Sequence, residues 1–131
     1  MKPASATHRK DMTVDELRDL VVSTLEDMKA FDIVTIDVRG KTAITDYFII
    51  ASGTSDRHVK STAETVAFQA KQAGAPPIGQ EGLQEGEWAL VDLNGVVVHI
   101  MQAKVRDFYQ LERLWNLDPE AAEKLSRERG S

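Results

Sequence analysis

The 131-residue sequence predicts a single α/β domain whose mixed β-sheet has about five strands packed with helices. Segments with a helical apolar period alternate with short β-branched runs, two such runs are joined by Asn94-Gly95, and no internal repeat is detectable. A chain of this length hides about two thirds of its unfolded surface on folding, which is enough for a self-sufficient core. We expect the ordered domain to span residues 13–116.

The composition excludes several classes of protein. The chain is 42% hydrophobic and 28% charged, as in an average globular domain. It contains no cysteine, which excludes disulfide scaffolds, thiol catalysis and cysteine-based metal sites. No apolar run reaches the ~18 residues of a membrane span, and the N-terminus lacks the apolar stretch of a secretory signal. These features predict a cytoplasmic protein with no membrane partner.

The charge is unevenly distributed along the chain. The formal net charge of −5 divides into +2 for residues 1–11, −1 for residues 117–131 and −6 for the residues between them. A domain this acidic lacks the basic surface that binding to a phosphate backbone requires. We therefore expect little direct contact with RNA.

The first part of the chain predicts an extension, a helix and a strand. Residues 1–12 are polar and non-periodic, and we assign them to a flexible N-terminal extension. Thr13 and Glu16 have the spacing of a capping box, and apolar residues then recur with a helical period to about residue 29. Residues 33–38 are rich in β-branched side chains and predict a strand.

The next segments predict a buried strand and a second helix. Residues 47–52 form a continuous apolar run of strand length, which indicates a strand covered on both faces. The second helix is expected over about residues 56–73, where Gly74 and two prolines end it. Residues 79–87 are rich in Gly and Glu and predict a loop, with a short edge strand near Ile78.

The two runs around Asn94-Gly95 predict a β-hairpin with a two-residue type I′ turn. The turn sets the register, with Leu93 opposite Val96, and alternation then assigns the side chains to two faces. The face assigned to the core is aliphatic: Ala89, Val91, Leu93, Val96, Val98 and Ile100. The other face mixes apolar and polar side chains: Trp88, Leu90, Asp92, Val97, His99 and Met101.

The mixed face has two interpretations. Apolar anchors with polar groups between them are typical of the centre of a protein interface. Alternatively, a helix covers this face and buries it. Because Asp92 and His99 would be costly to bury without partners, we favour a partner-binding surface over a covered one.

The last part of the chain predicts a third helix and a tail. The helix runs from about Lys104 to Trp115, with Arg106 and Tyr109 turned away from its buried side. Residues 117–131 form a peripheral C-terminal tail. Asp118-Pro119 favours the start of a short helix there, with Asp as the cap and Pro at the first helical position.

The sequence predicts no catalytic, cofactor or metal site. Gly40-Lys41-Thr42 lacks the upstream glycine of a phosphate-binding loop, and the three histidines have no metal-ligand spacing. An alternative remains at Gly53-Thr54-Ser55, because a turn between a strand and a helix presents free amides to a phosphate. That alternative is a nucleotide-binding or nucleotidyl-transfer enzyme. It would need paired carboxylates for a divalent metal, and the candidates Asp46 and Asp92 are isolated in sequence.

Three blocks of sequence resemble the ribosomal silencing factor family, which is related to the plant Iojap protein. They are residues 44–55 (ITDYFIIASGTS), the paired segments 88–92 (WALVD) and 97–100 (VVHI), and residues 106–115 (RDFYQLERLW). The likeness runs in order and spacing from about Val14 to Trp115. It implies a nucleotidyltransferase-like sheet without catalytic carboxylates, and a protein that is not an enzyme and needs no cofactor.

The resemblance also implies a function by obstruction. Members of that family bind the large ribosomal subunit through its fourteenth protein and block joining with the small subunit, which represses translation when nutrients are short. An acidic domain suits a basic ribosomal protein as partner. The positions that match the family's binding surface are Trp88, Leu90, Asp92, Val97, His99, Arg106 and Tyr109. Self-association as a homodimer through the same apolar face, off the ribosome, is a further expectation.

Overall fold

The structure is a computed structural model that describes residues 12–109 and the single positions 113, 120 and 124, apart from the side chains of residues 108 and 109. The predicted extension before Met12, the predicted third helix beyond Tyr109 and most of the predicted tail lie outside the described residues. Met12, which falls in the predicted extension, is half-buried and packs against the core.

The described chain forms three helices and one five-stranded sheet. The helices are α1 (Val14–Asp27), α2 (Asp56–Gln72) and α3 (Ala103–Tyr109). The strands are β1 (Phe31–Asp37), β2 (Tyr47–Gly53), β3 (Gly79–Glu81), β4 (Trp88–Asp92) and β5 (Val96–Gln102). Their order across the sheet is β1-β2-β5-β4-β3, with β2 and β5 parallel and the other neighbours antiparallel. The predicted mixed sheet is confirmed, while its likeness to nucleotidyltransferases stays a prediction.

Helix α1 begins at the predicted capping box. The Glu16 backbone N–H donates to Thr13 Oγ1, and the Thr13 backbone N–H donates to Glu16 Oε1, both at 3.0 Å. These bonds satisfy two of the amides that a helix N-terminus leaves without intrahelical partners. The apolar side of the helix, with Leu17, Val21 and Leu25, is buried.

The main core lies between the sheet and the helices α1 and α2. The predicted hairpin register is confirmed, since Val91 pairs with Val98 and Ala89 with Ile100. All six hairpin residues assigned to the core are buried there. Strand β2 is buried along its whole length, as its continuous apolar run predicts. We refer to this side of the sheet as the helix-covered face.

The hairpin turn differs from the predicted type I′, which requires positive φ at both central residues. Asn94 has a φ of 80°, but Gly95 does not have a positive φ. The Asp92 carboxylate accepts a hydrogen bond from the Asn94 backbone N–H at 2.9 Å, and the Gly95 N–H donates to the Leu93 carbonyl at 3.1 Å. These local bonds favour a tighter turn without changing the register of the strands.

A charged cluster around Tyr47 fixes α1 to the start of β2. The Tyr47 hydroxyl donates to Asp15 Oδ1 at 2.7 Å and accepts from Arg18 Nη1 at 3.0 Å. The guanidinium groups of Arg18 and Arg39 lie over the Tyr47 ring, 4.9 and 5.0 Å from its centre. Hydrogen bonds from Arg39 lower the pKa of Asp37 to about 2.

Candidate partner-binding face

The second side of the sheet carries the mixed residues of the hairpin. We call it the Trp88 face and define it by Phe48, Ile50, Trp88, Leu90, Asp92, Val97, His99 and Met101. Pairing between β4 and β5 places Leu90 beside His99 and Asp92 beside Val97, and β2 adds its own residues on the other side of β5. Five of the seven predicted partner-binding residues therefore form one contiguous patch.

The Trp88 face is buried in the structure. Trp88 is 4% exposed and Asp92 6%, while Leu90, Val97 and His99 are fully buried. The preferred interpretation, a surface left open for a partner, is therefore wrong for the isolated chain. The alternative interpretation, a covered and buried face, agrees with the structure. That these residues contact a partner stays a prediction.

Hydrogen bonds explain why polar groups are tolerated on this face. Trp88 Nε1 donates to His99 Nδ1 at 2.9 Å, and the His99 ring packs against Phe48 with ring centroids 4.7 Å apart. Asp92 accepts from the backbone of the hairpin turn. Buried polar groups are normally hydrogen-bonded, and here the hairpin itself supplies the partners. The sequence could have predicted this hydrogen-bonded pair, because the predicted hairpin register makes Trp88 and His99 diagonal neighbours.

The predicted partner-binding residue Arg106 points inward from α3. Its side chain is 8% exposed, and Nη1 donates to Ser52 Oγ at 2.9 Å and to the main-chain oxygen of Asp32. Neither acceptor was predicted as a functional residue, and nothing in their local sequence distinguishes them. Tyr109 is the last residue of α3 that the structure describes, and its side chain lies outside the described residues.

The turn at Gly53-Thr54-Ser55 uses its hydrogen-bond donors internally. The Thr54 backbone N–H donates to His58 Nδ1 at 2.9 Å, and the His58 backbone N–H donates to Ser55 Oγ at 3.1 Å. With Nδ1 acting as an acceptor, His58 Nε2 carries the proton and donates to the Met28 carbonyl at 2.7 Å. These bonds join the end of α1 to the start of α2 and occupy amides that a phosphate would need.

The carboxylates offer no support for the nucleotidyl-transfer alternative in the described chain. Asp92, one of the two candidates, accepts a hydrogen bond from the hairpin turn. Within residues 12–109 and the three single positions, no three His, Asp or Glu side chains are grouped closely enough to hold a metal ion. In the same part of the chain, no helix is long and apolar enough to cross a bilayer.

The glycine of this turn is required by packing, which leads to a testable prediction. A Cβ at Gly53 would lie 2.8 Å from Val59 Cγ2, and Val59 is a buried, stiff side chain of α2. Gly53→Ala is expected to lower the free energy of unfolding by about 1–3 kcal/mol through overpacking. Urea denaturation measures this as a lower midpoint with an unchanged slope.

Gly79→Ala is the matched control for Gly53→Ala. At Gly79 the nearest heavy atom to an added Cβ is Asp92 Cβ at 3.9 Å, which is ordinary contact. We expect this variant to be as stable as the unmodified chain or slightly more stable. Equal midpoints for the two variants would show that the close contact with Val59 does not require glycine at position 53.

Comparison with known proteins assigns the chain to a family. A family model described as "Ribosomal silencing factor during starvation" matches residues 11–130. The chain belongs to the ribosomal silencing factor family. The match continues past Trp115, where the three resembling blocks end, and takes in nearly all of the C-terminal tail.

Individual members of the family show the same relationship. The ribosomal silencing factor of Haemophilus influenzae is 46% identical over 99 residues, which cover 76% of this chain and 97% of that protein. A crystal structure of a Chromobacterium violaceum protein, 42% identical, superposes with a TM-score of 0.78 and covers 80% of this chain and 88% of that one. A mouse protein named for mitochondrial assembly of the ribosomal large subunit is 36% identical over 102 residues, 76% of this chain and 45% of its own length.

Proposed function

We propose that this chain binds the large ribosomal subunit through the subunit's basic fourteenth protein and thereby blocks joining with the small subunit. Membership of the silencing factor family supports a role on the ribosome, and the name of the mouse relative points to the large subunit. The chain would act in the cytoplasm, where it represses translation when nutrients are limiting. The observation that carries the proposal is the Trp88 face.

The Trp88 face has the composition of an interface centre. An indole and aliphatic side chains lie next to one carboxylate and one hydrogen-bonded histidine, whose ring packs tilted against Phe48. Tryptophan is over-represented among the few residues that carry most of the binding energy at interfaces. A standard interface takes roughly 800 Å² from each partner, or roughly a ninth of the 6933 Å² accessible surface of this chain.

The negative charge of the domain favours a basic protein as its partner. The −6 carried between residues 11 and 117 repels ribosomal RNA and attracts a basic protein that lies among that RNA. Long-range attraction of this kind raises the association rate, and the apolar contacts then set the residence time. Occupying the joining surface needs no bond to be made or broken, so the proposal requires no catalytic residue.

Co-sedimentation with purified large subunits tests the proposal. We expect the chain to pellet with large subunits at low salt, with weaker binding as the salt concentration rises, because salt screens the charge attraction. Small subunits added afterwards should then form fewer joined ribosomes, in proportion to the fraction of large subunits occupied. An excess of the isolated fourteenth protein should release the chain.

Phe68→Ser is the control for nonspecific pelleting. Phe68 lies on α2, whose buried side packs on the helix-covered face, and it is 56% exposed. This variant should pellet and block joining as the unmodified chain does. If the chain stays in the supernatant at low salt, or pellets while joining proceeds normally, the proposed function is wrong.

A further inference from the structure

Strand β1 forms one edge of the sheet. The strand order places β2 on one side of β1 and no described strand on the other. At the opposite edge β3 has only three residues, whereas β1 has seven, and its register with β2 is regular from Val34 to Asp37. A long edge strand presents a row of backbone donors and acceptors that can pair with another chain.

The main-chain groups of Thr35 and Asp37 point away from the sheet. The Val38 N–H donates to the carbonyl of Asp46, the residue before β2, at 3.0 Å. Because main-chain groups of successive residues in a strand point to opposite sides, those of Ile36 also face β2, while those of Thr35 and Asp37 face outward. Thr35 is exposed, and no described strand pairs with this edge.

A shallow groove lies beside this edge, between β1 and α1. Its volume is about 460 Å³, and it is lined by Arg18, Asp19, Val22, Ser23, Glu26 and Thr35. Helix and strand run in opposite directions, since α1 ends shortly before β1 begins, and Arg39 joins their other ends through ion pairs with Asp15 and Asp37. An exposed sheet edge can bind an extended peptide as an additional strand, with alternate side chains held in neighbouring pockets.

The groove is acidic and has an apolar centre. Asp19 and Glu26 are exposed, and Glu26 forms no ion pair with any described residue. The Arg18 guanidinium is already bonded to Asp19 and to the Tyr47 hydroxyl. Half-buried Val22 lies about one helical turn from each of the two acids, on the same side of α1. An extended segment with basic side chains on either side of an apolar one matches this arrangement.

We propose that the edge of β1 and this groove bind an extended basic segment of another protein, which adds a strand to the sheet. An apolar side chain of the segment lies opposite Thr35 and contacts Val22. The next side chains on the same face, two positions to either side, are basic. One lies near Asp37 and the other near Glu26.

The charge of the edge favours this occupant over a second copy of the chain. A second copy would bring its own acidic residues to an acidic edge, and like charges directly opposite are destabilising. Thr35 pairs with Ile49, which lies on the helix-covered face, so the groove is on the other side of the sheet from the Trp88 face. The inference therefore goes beyond the proposed function and does not depend on it.

A short basic peptide tests the proposal. The probe is the heptapeptide TKTVTKT, blocked at its C-terminus and labelled with a fluorophore at its N-terminus, and anisotropy measures its binding to the full chain. We expect saturable binding that weakens as the salt concentration rises. The charge-reversed peptide TETVTET should bind at least about tenfold more weakly. A methyl group on the amide nitrogen of the central valine removes the donor to the Thr35 carbonyl and should also cost about tenfold.

Hydrogen exchange and an edge variant locate the bound peptide. Binding of TKTVTKT should slow exchange of the outward-facing amides of Thr35 and Asp37 and leave that of Ile36, which already faces β2, unchanged. Thr35→Pro removes an N–H that the pairing with β2 does not use, and edge strands accept proline at such positions. This variant should fold and should no longer bind the peptide.

A matched pair of charge variants decides the question even if Thr35→Pro is unstable. Glu26→Lys replaces an attraction in the groove by a repulsion and should weaken binding of TKTVTKT about three- to tenfold. Glu64→Lys makes the same change at an exposed position of α2. It should leave binding nearly unchanged at physiological ionic strength, because salt screens distant charges.

Several outcomes would overturn the proposal. They are absence of saturable binding, equal affinities for TKTVTKT and TETVTET, equal affinities of Glu26→Lys and Glu64→Lys, and protection of amides outside β1. If the unmodified chain sediments as a dimer that Thr35→Pro converts to a monomer, a second copy occupies the edge and the proposal is wrong. None of these measurements uses ribosomes, so they leave the proposed function untouched.

Discussion

Trp88→Ala is expected to lower the free energy of unfolding by about 3–5 kcal/mol, as truncation of a buried Trp or Phe usually does. The indole is 4% exposed, packs in a cluster with Phe48 and Met101, and donates its N–H to His99. The substitution leaves a cavity and also removes a hydrogen bond from a fully buried imidazole. Domains of this size are stable by about 5–15 kcal/mol, so the loss is a large fraction of the total. The midpoint of urea denaturation measures it.

The same variant should lose large-subunit binding even at temperatures where it remains folded. Under the proposed function the indole is an interface anchor, and truncating such an anchor costs about 2 kcal/mol or more, a factor of roughly thirty in affinity. If Trp88 were an exposed anchor, as the favoured interpretation of the sequence implies, Trp88→Ala would leave the fold intact. The burial of Trp88 shows instead that stability and binding must be measured separately.

Two variants make that separation. Ile49→Ala leaves a smaller cavity on the helix-covered face, where Ile49 is fully buried, and it should lose about 2–5 kcal/mol of stability but keep its binding. Trp88→Phe keeps most of the apolar ring and loses the hydrogen bond to His99, so it should lose about 1–3 kcal/mol of stability, less than Trp88→Ala, and bind more weakly because the anchor is smaller. Normal binding by Trp88→Phe would remove Trp88 from the proposed interface, and unchanged stability of Trp88→Ala would contradict its burial.

The parts of the fold that the sequence predicts well are those set by local rules. Side-chain alternation in β4 and β5 has a period of two, so a single turn at Asn94-Gly95 determines which residues share a face. The capping box at Thr13 is equally local, since donor and acceptor lie three residues apart. Register, strand burial and the start of α1 are therefore predicted correctly.

The covering of the Trp88 face depends on contacts that no local pattern contains. Arg106 and its acceptor Asp32 are 74 positions apart in the chain, and that acceptor is a backbone carbonyl of β1 at a register shift between Phe31 and Val34. Helical period also assigns Arg106 to the outward side of its helix, as expected for a charged residue. A buried arginine with good hydrogen bonds overrides that rule, because its partners offset the loss of water.

Gly86→Ala is expected to be the most damaging of the glycine substitutions, with a loss of about 3 kcal/mol or more. Gly86 has a φ of 74°, a conformation that costs other residues about 1–2 kcal/mol. An added Cβ would also lie 2.6 Å from the Asp56 main-chain oxygen and 2.9 Å from Asp56 Cα, and backbone atoms at the start of α2 cannot move aside cheaply. Thermal unfolding should show a fall in Tm of roughly 10–20 °C.

Gly40→Ala isolates the conformational contribution from the steric one. Gly40 has a similar φ of 83°, but an added Cβ would meet nothing within 4 Å. Its expected cost is therefore the conformational one, about 1 kcal/mol after the gain from a less flexible unfolded chain. Equal losses in the two variants would show that the approach of Gly86 to Asp56 contributes nothing.

The loop that contains Gly86 also bonds to the residue that precedes α3. The Gly86 carbonyl accepts a hydrogen bond from Gln102 Nε2 at 3.1 Å, and the Gln102 backbone N–H donates to the Glu87 carbonyl at 3.0 Å. Gln102 is the last residue before α3. If the loop is displaced in Gly86→Ala, the Gln102 amide should exchange faster than in Gly40→Ala at the same temperature. Equal exchange rates would mean that the loop does not support the junction between β5 and α3.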